Sequence, residues 1–150
     1  MNISPFTAVL EIVRIFNAPR QIVFEAFTSF EMMKTWMGPE ACKVQDGSID
    51  FKVGGEYHFD MQTPMGDTTV SGRYIEISPP EKIAFTWRWL DDEDWAPVDS
   101  LVVFEFKDLG DQTELRLVHT GFPSLESRGN HEQGWCGSLD KLAARCSATG

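Results

Sequence analysis

Two hydrophobic periods divide this chain. From Ala41 to Thr120 apolar residues recur at every second position, and near the C-terminus they recur at Trp135, Leu139, Leu142 and Cys146, spaced i, i+4, i+7 and i+11. The first period marks strands with one covered face, the second one stripe of a helix. The expected helix is Asn130–Arg145, with Lys141 and Arg145 placed where cations meet the unpaired terminal carbonyls. Gly134 and Gly137 weaken it locally and read as points of close approach beside Trp135.

The pattern before that helix predicts the other elements in turn. Val9–Phe16 alternates and reads as a strand with Leu10, Ile12, Arg14 and Phe16 on one face. Pro19 suits the first turn of a helix, and Ile22, Val23, Ala26 and Phe27 form one stripe of Arg20–Phe27. Thr28 and Glu31 make a T-x-x-E capping box for a second helix, Ser29–Trp36, ended by Gly38-Pro39. Ala41–Asp46 and Ser48–Val53 read as two short strands split by an Asp46-Gly47 turn.

A meander of strands follows. Glu56–Gln62 aligns Tyr57, Phe59 and Met61, and Thr68–Ser78 carries a bend or bulge at Gly72. Lys82–Leu90 aligns Ile83, Phe85, Trp87 and Trp89; Val98–Asp108 aligns Val102, Phe104 and Phe106; Gln112–Thr120 aligns Leu115, Leu117 and His119. Gly121–Gly129 reads as a loop or a short helical turn. A sheet with one apolar face must cover it, and the C-terminal helix is the only element long enough. The expectation is an α+β fold in one domain, residues 1–150, with a space between sheet and helix where function resides.

Composition narrows the classes. The net charge is −10 and the 13 basic residues are scattered, so the basic stripe that phosphate-backbone binding requires is missing and nucleic acid is not an expected partner. Three cysteines, Cys42, Cys136 and Cys146, form no C-x-x-C pair; this odd set points to a reducing, cytoplasmic setting without disulfides. No run approaches the ~18 apolar residues of a membrane span, and Met1–Pro5 has neither a basic start nor an apolar core.

Catalytic motifs are absent: there is no G-x-S-x-G, no phosphate-binding glycine loop and no H-E-x-x-H, and His58, His119 and His131 are not spaced as local metal ligands. No metal or cofactor is expected. Asp91-Asp92-Glu93-Asp94 reads as a solvated hairpin tip without a calcium-loop signature. His119, on an apolar strand face, is the candidate general base or ligand-orienting group, weighed against a satisfied core histidine. His131, beside Glu132, reads as a capping or loop residue, and Trp36-Met37 as a plug or cavity lip.

These residues carry a resemblance. Asn17-Ala18-Pro19, Trp36, Gly54-Gly55-Glu56-Tyr57, Ser71-Gly72-Arg73-Tyr74, Phe85-Thr86-Trp87, Thr113-Glu114-Leu115 through His119, and Gly134-Trp135 together resemble the START-like (SRPBCC) superfamily, over roughly residues 8–146. Within it the chain is most similar to the branch typified by the C-terminal domain of the activator of heat-shock-protein-90 ATPase. The resemblance implies a helix-grip fold, as in birch-pollen-allergen-like proteins: a curved antiparallel sheet wrapped around a long C-terminal helix, with two short helices after the first strand. It also implies a hydrophobic cavity.

Three functions follow as expectations. The first is binding of a hydrophobic or aromatic small molecule or lipid, with Trp36, Tyr57, Phe59, Met61, Phe85, Trp87, Trp89, Phe104, Phe106, Leu117, His119, Trp135 and Leu139 as candidate ligand contacts. The others are modulation of a chaperone ATPase through the outer sheet face, and a cyclase- or hydrolase-like reaction using His119. A monomer or homodimer suits all three. An empty void of ~300 Å³ would cost on the order of 7 kcal/mol at about 24 cal/mol per Å³, so any cavity is occupied, wet or partly filled by aromatics.

Overall fold

The computed structural model describes residues 9–38, 41–95 and 100–148. Its frame is one antiparallel sheet of eight strands in the order β1-β8-β7-β5-β4-β3-β2, with β6 paired to β4 alone. The strands are β1 (Val9–Phe16), β2 (Lys43–Ile49), β3 (Glu56–Thr63), β4 (Gly66–Ser78), β5 (Lys82–Thr86), β6 (Arg88–Trp89), β7 (Leu101–Asp108) and β8 (Thr113–Thr120). The inward face follows the period of two: Tyr57, Phe59 and Met61 on β3, Val102, Phe104 and Phe106 on β7, and Leu115, Leu117 and His119 on β8 are all buried.

Two short helices follow β1: α1 (Arg20–Glu25) and α2 (Phe30–Met33). Both are shorter than the stripe predicts, and the residues through Trp36 continue as turns. The cap is also different: Ser29 Oγ accepts the Met32 N–H at 3.2 Å, whereas Thr28 Oγ1 donates to the Glu25 carbonyl at 2.8 Å. Thr28 closes the first helix and Ser29 opens the second.

Two expected irregularities fall elsewhere, and one expected strand is divided. β2 runs unbroken through Gly47, with its register shift between Val44 and Asp46. A Cβ at Gly47 would lie 2.3 Å from the His58 carbonyl oxygen, so this glycine serves close approach, not a turn. On β4 the irregularity lies between Tyr74 and Glu76, while Gly72 pairs regularly with Tyr57. The expected strand Lys82–Leu90 breaks at Trp87, leaving β5 on β4 and β7 and a two-residue β6 on β4. The start of the expected strand Val98–Asp108 lies outside the described residues.

The sheet curves around α3 (Leu125–Ala148). This helix begins five residues before the periodic stripe predicts, because Ser124 Oγ accepts the Ser127 N–H at 3.0 Å. Leu139, Leu142 and Cys146 are buried against the sheet, while the Arg14 guanidinium meets Asp140 at 2.5 Å and Arg128 Nε donates to the Val9 carbonyl at 2.9 Å. The helix is thus fastened along β1 and grips the concave face.

Candidate functional site

α3 has two working faces. Leu139, Leu142 and Cys146 pack into the core, but Ser127, Asn130, His131, Gly134, Trp135 and Ser138, spaced i, i+3, i+4, i+7, i+8 and i+11, border open space. That space is a cleft of about 860 Å³. Across it stand Met61 and Thr63 of β3, Trp87, and Trp89 of β6. Met37, Gly38 and Cys42 close one side, and Met65 of the β3–β4 turn stands at the mouth with Asp67 and Thr68 at the start of β4. The acidic run Asp91–Asp94 and Trp95, in a 3₁₀ turn over Glu93–Trp95, form the other lip.

The cleft exists because small residues occupy α3 where large ones would fill it. Apart from its chain neighbours and the helix's own backbone, no heavy atom lies within 4 Å of a Cβ built on Gly134. The expected close approach at this glycine is therefore replaced by open space; its missing side chain is part of the cavity. Ser138 fixes the neighbouring wall: its Oγ accepts the Gly38 N–H at 2.8 Å and donates to the Gly134 carbonyl at 3.0 Å.

Two imidazoles hold three indoles at the inner end. Trp89 Nε1 donates to His131 Nε2 at 2.8 Å and Trp87 Nε1 to the same nitrogen at 3.3 Å. His131 Nδ1 then carries the proton and donates to the Ser127 carbonyl at 2.7 Å. His119 has the opposite tautomer: Nδ1 accepts the Trp135 indole N–H at 3.1 Å, so Nε2 donates to Ser100 Oγ at 2.5 Å. The two rings stand edge to face, 5.4 Å apart. Burial pushes both imidazoles below the ordinary histidine range, His119 well below it, and the nearby His131 lowers His119 further.

The sequence-derived candidates divide between this cleft and the packed core. Met61, Trp87, Trp89 and Trp135 line the cleft. Trp36 is fully buried, its indole donating to the Ala26 carbonyl at 2.9 Å, while Phe104 and Phe106 pack on Phe27 at 4.8 and 5.2 Å between ring centroids. Phe59 and Phe85 flank Tyr57 at 5.6 and 5.5 Å, and Leu117 and Leu139 are buried. Tyr57 gives its hydroxyl proton to the Thr86 carbonyl at 2.5 Å, and burial raises its pKa well above the ordinary phenol value. His119 is fully buried with both ring nitrogens engaged and has no surface on the cleft.

Sequence reasoning placed His131 as a capping or loop residue; it sits inside α3 as the acceptor of two indoles. It also missed Asn130, Gly134 and Ser138 as cleft residues, whereas Met37, read as part of a plug or cavity lip, does line the cleft. The signal was present as a second stripe of small and polar residues, turned about 80° from the apolar one at 100° per residue.

The fold matches known proteins. The model of the family described as Activator of Hsp90 ATPase homolog 1-like protein matches residues 17–147. This chain belongs to that family. Among solved structures, an AHSA1 protein from Silicibacter pomeroyi is 30% identical, with 95% of this chain and 99% of that one covered at a TM-score of 0.83. A Chromobacterium violaceum protein is 29% identical over 93% and 97% of the chains, TM-score 0.81. A Rhizobium loti protein is 27% identical over 91% and 94%, TM-score 0.74. Curated proteins yield no match. The AHSA1-like chain is thus an AHSA-type START-like protein with the helix-grip fold, a ligand-binding type of domain. None of its described helices is long and apolar enough to cross a membrane, and no three His, Cys, Asp or Glu residues among those described gather as metal ligands.

Proposed function

We propose that this AHSA1-like protein binds an apolar or aromatic small molecule in the cleft between Ser127–Ser138 of α3 and the β3, β4 and β6 edge of the sheet. The observation that supports it is the cleft itself: about 860 Å³, within the ~300–1,000 Å³ range of ligand sites, walled by Trp87, Trp89, Trp135, Met37 and Met61. Indole walls offer large contact area at little entropy, because His131 and His119 already fix their orientations. Asn130 at the mouth adds a hydrogen-bonding amide.

This reading shifts the binding region from Trp135–Leu142 toward the N-terminal half of the helix and replaces Tyr57 and His119 with groups that reach the cleft. The chaperone-ATPase reading rests on the family description alone, and the His119-base reading on an imidazole whose nitrogens are both engaged.

Titration with 1-pyrenemethanol, an uncharged aromatic probe, tests the proposal. Gly134→Leu, which projects a side chain into the cleft, and Trp135→Ala, which removes a wall, should each weaken binding at least about tenfold, the equivalent of 1.4 kcal/mol. Arg116→Ala, on the outer face between Glu11 and Glu105, should change it less than about twofold. Equal losses in all three folded variants, or no binding to the parent protein, would overturn the reading.

A further inference from the structure

The cleft combines an aromatic interior with a one-signed rim. Its indoles lie together: Trp87 and Trp135 are 4.9 Å apart between ring centroids and Trp87 and Trp89 are 5.7 Å apart, nearly perpendicular. Trp95 stands 5.1 Å from the His131 ring. Around the mouth are Asp67, Asp91, Asp92, Glu93 and Asp94, all exposed, and no lysine or arginine lines the cleft among the described residues.

The carboxylates at the mouth bond only to neutral donors among the described residues. Asp91 accepts neutral donors, the Thr68 hydroxyl at 3.0 Å and the Thr69 N–H at 2.8 Å, and Asp92 accepts the Asp94 N–H at 3.0 Å. None of the five is in a salt bridge among the described residues. His131 supplies no compensating charge, because its Nε2 lone pair is taken by two indole N–H groups and its N–H by Ser127. An anionic headgroup therefore meets the like charge of these five carboxylates at the entrance.

A cation finds the opposite. Carboxylates draw it to the mouth, and the indole faces of the interior receive its apolar or aromatic body. Resting on the reading of the cleft as a ligand site, we infer that its ligand is an organic cation: an apolar or aromatic body carrying an amine or quaternary ammonium group that stays at the acidic rim. A fatty acid, an anionic lipid or a phosphorylated metabolite does not fit this charge pattern.

Three probes with one aromatic body separate the inference from the reading beneath it: 1-pyrenemethylammonium, 1-pyrenemethanol and 1-pyrenecarboxylate. The cation should bind at least tenfold more tightly than the carboxylate at low ionic strength, with the neutral alcohol between them. The gap should narrow as salt rises, since exposed charges are screened over about 8 Å at physiological ionic strength. The variant Asp67→Asn/Glu93→Gln/Asp94→Asn should remove most of the cation's advantage over the alcohol and the carboxylate. A control of the same net charge, Glu31→Gln/Glu81→Gln/Asp111→Asn, alters carboxylates away from the cleft and should retain it. Equal binding of all three probes, each still blocked by Gly134→Leu, would overturn the cation inference and leave the cleft reading standing. Absence of binding by every probe overturns both. An equal loss of the cation's advantage in the two charge variants also overturns the inference, because it assigns the preference to net charge.

Discussion

Trp89 and His131 meet across the inner end of the cleft, the indole N–H donating to the imidazole Nε2 at 2.8 Å. The contact joins a two-residue strand to the N-terminal half of α3, 42 residues later in the chain. Trp87 reaches the same nitrogen, so one lone pair holds two side chains of the wall.

Removing that acceptor leaves indole N–H groups without a partner. His131→Ala should cost about 1–3 kcal/mol, the usual penalty for an unsatisfied buried donor. In a double-mutant cycle by urea denaturation, Trp89→Phe should cost less in the His131→Ala background than alone, by about 0.5–1.5 kcal/mol. Strict additivity would show that the hydrogen bond does not stabilise the wall.

Stability should fall as pH drops through the histidine range. Burial lowers both His119 and His131, so the unfolded chain binds more protons than the native state below about 6.5 and above their folded values. The stability they contribute is fully present above the unfolded value and is lost as pH falls toward the folded ones. Urea midpoints should decrease from pH 7.5 to 5, and His119→Asn/His131→Gln should flatten that part of the profile. An unchanged slope would place the proton uptake elsewhere.

Two glycines should respond in opposite directions to alanine. Gly134→Ala adds a methyl group that meets nothing within 4 Å beyond the helix's own backbone and chain neighbours and relieves a helical glycine, so it should stabilise by about 0.5–1 kcal/mol. Gly72→Ala would put its Cβ 2.0 Å from the Thr86 carbonyl oxygen, the atom that accepts the Tyr57 hydroxyl, and should destabilise by about 1–3 kcal/mol. Thermal denaturation distinguishes the two signs.

Ser138→Ala removes the acceptor of the Gly38 N–H, a bond linking the α2–β2 connection to α3. The loss should be about 1–3 kcal/mol, with faster amide exchange at Gly38. Unchanged exchange at that amide would mean that the hydroxyl does not hold this side of the cleft.

Much of the fold was legible because strand alternation and helical stripes record which face avoids water. Phe104, Phe106, Leu115 and Leu117 were readable as inward residues, and the family resemblance supplied the grip of sheet on helix. The helix start was less legible, since its first turn carries polar and small residues that make no apolar stripe; only the Ser124 cap marked it. Gly47 and Gly72 gave equally mixed signals, because a glycine needed for a turn and one needed for close approach look alike in one dimension.

The candidate site was harder to read for a physical reason. Trp87 and Phe104 both belong to the inward face, and alternation cannot say whether the space opposite is filled. By itself the sequence determined the sheet's inner face, the long covering helix and the acidity of residues 91–94. Tertiary structure decided that Leu139 meets packed side chains whereas Gly134, barely more than a turn earlier, meets open space. It also brought Trp89 to His131 and the acidic run to the mouth. Hydrophobic period is a local property of one segment; a cavity is defined by what stands across from it.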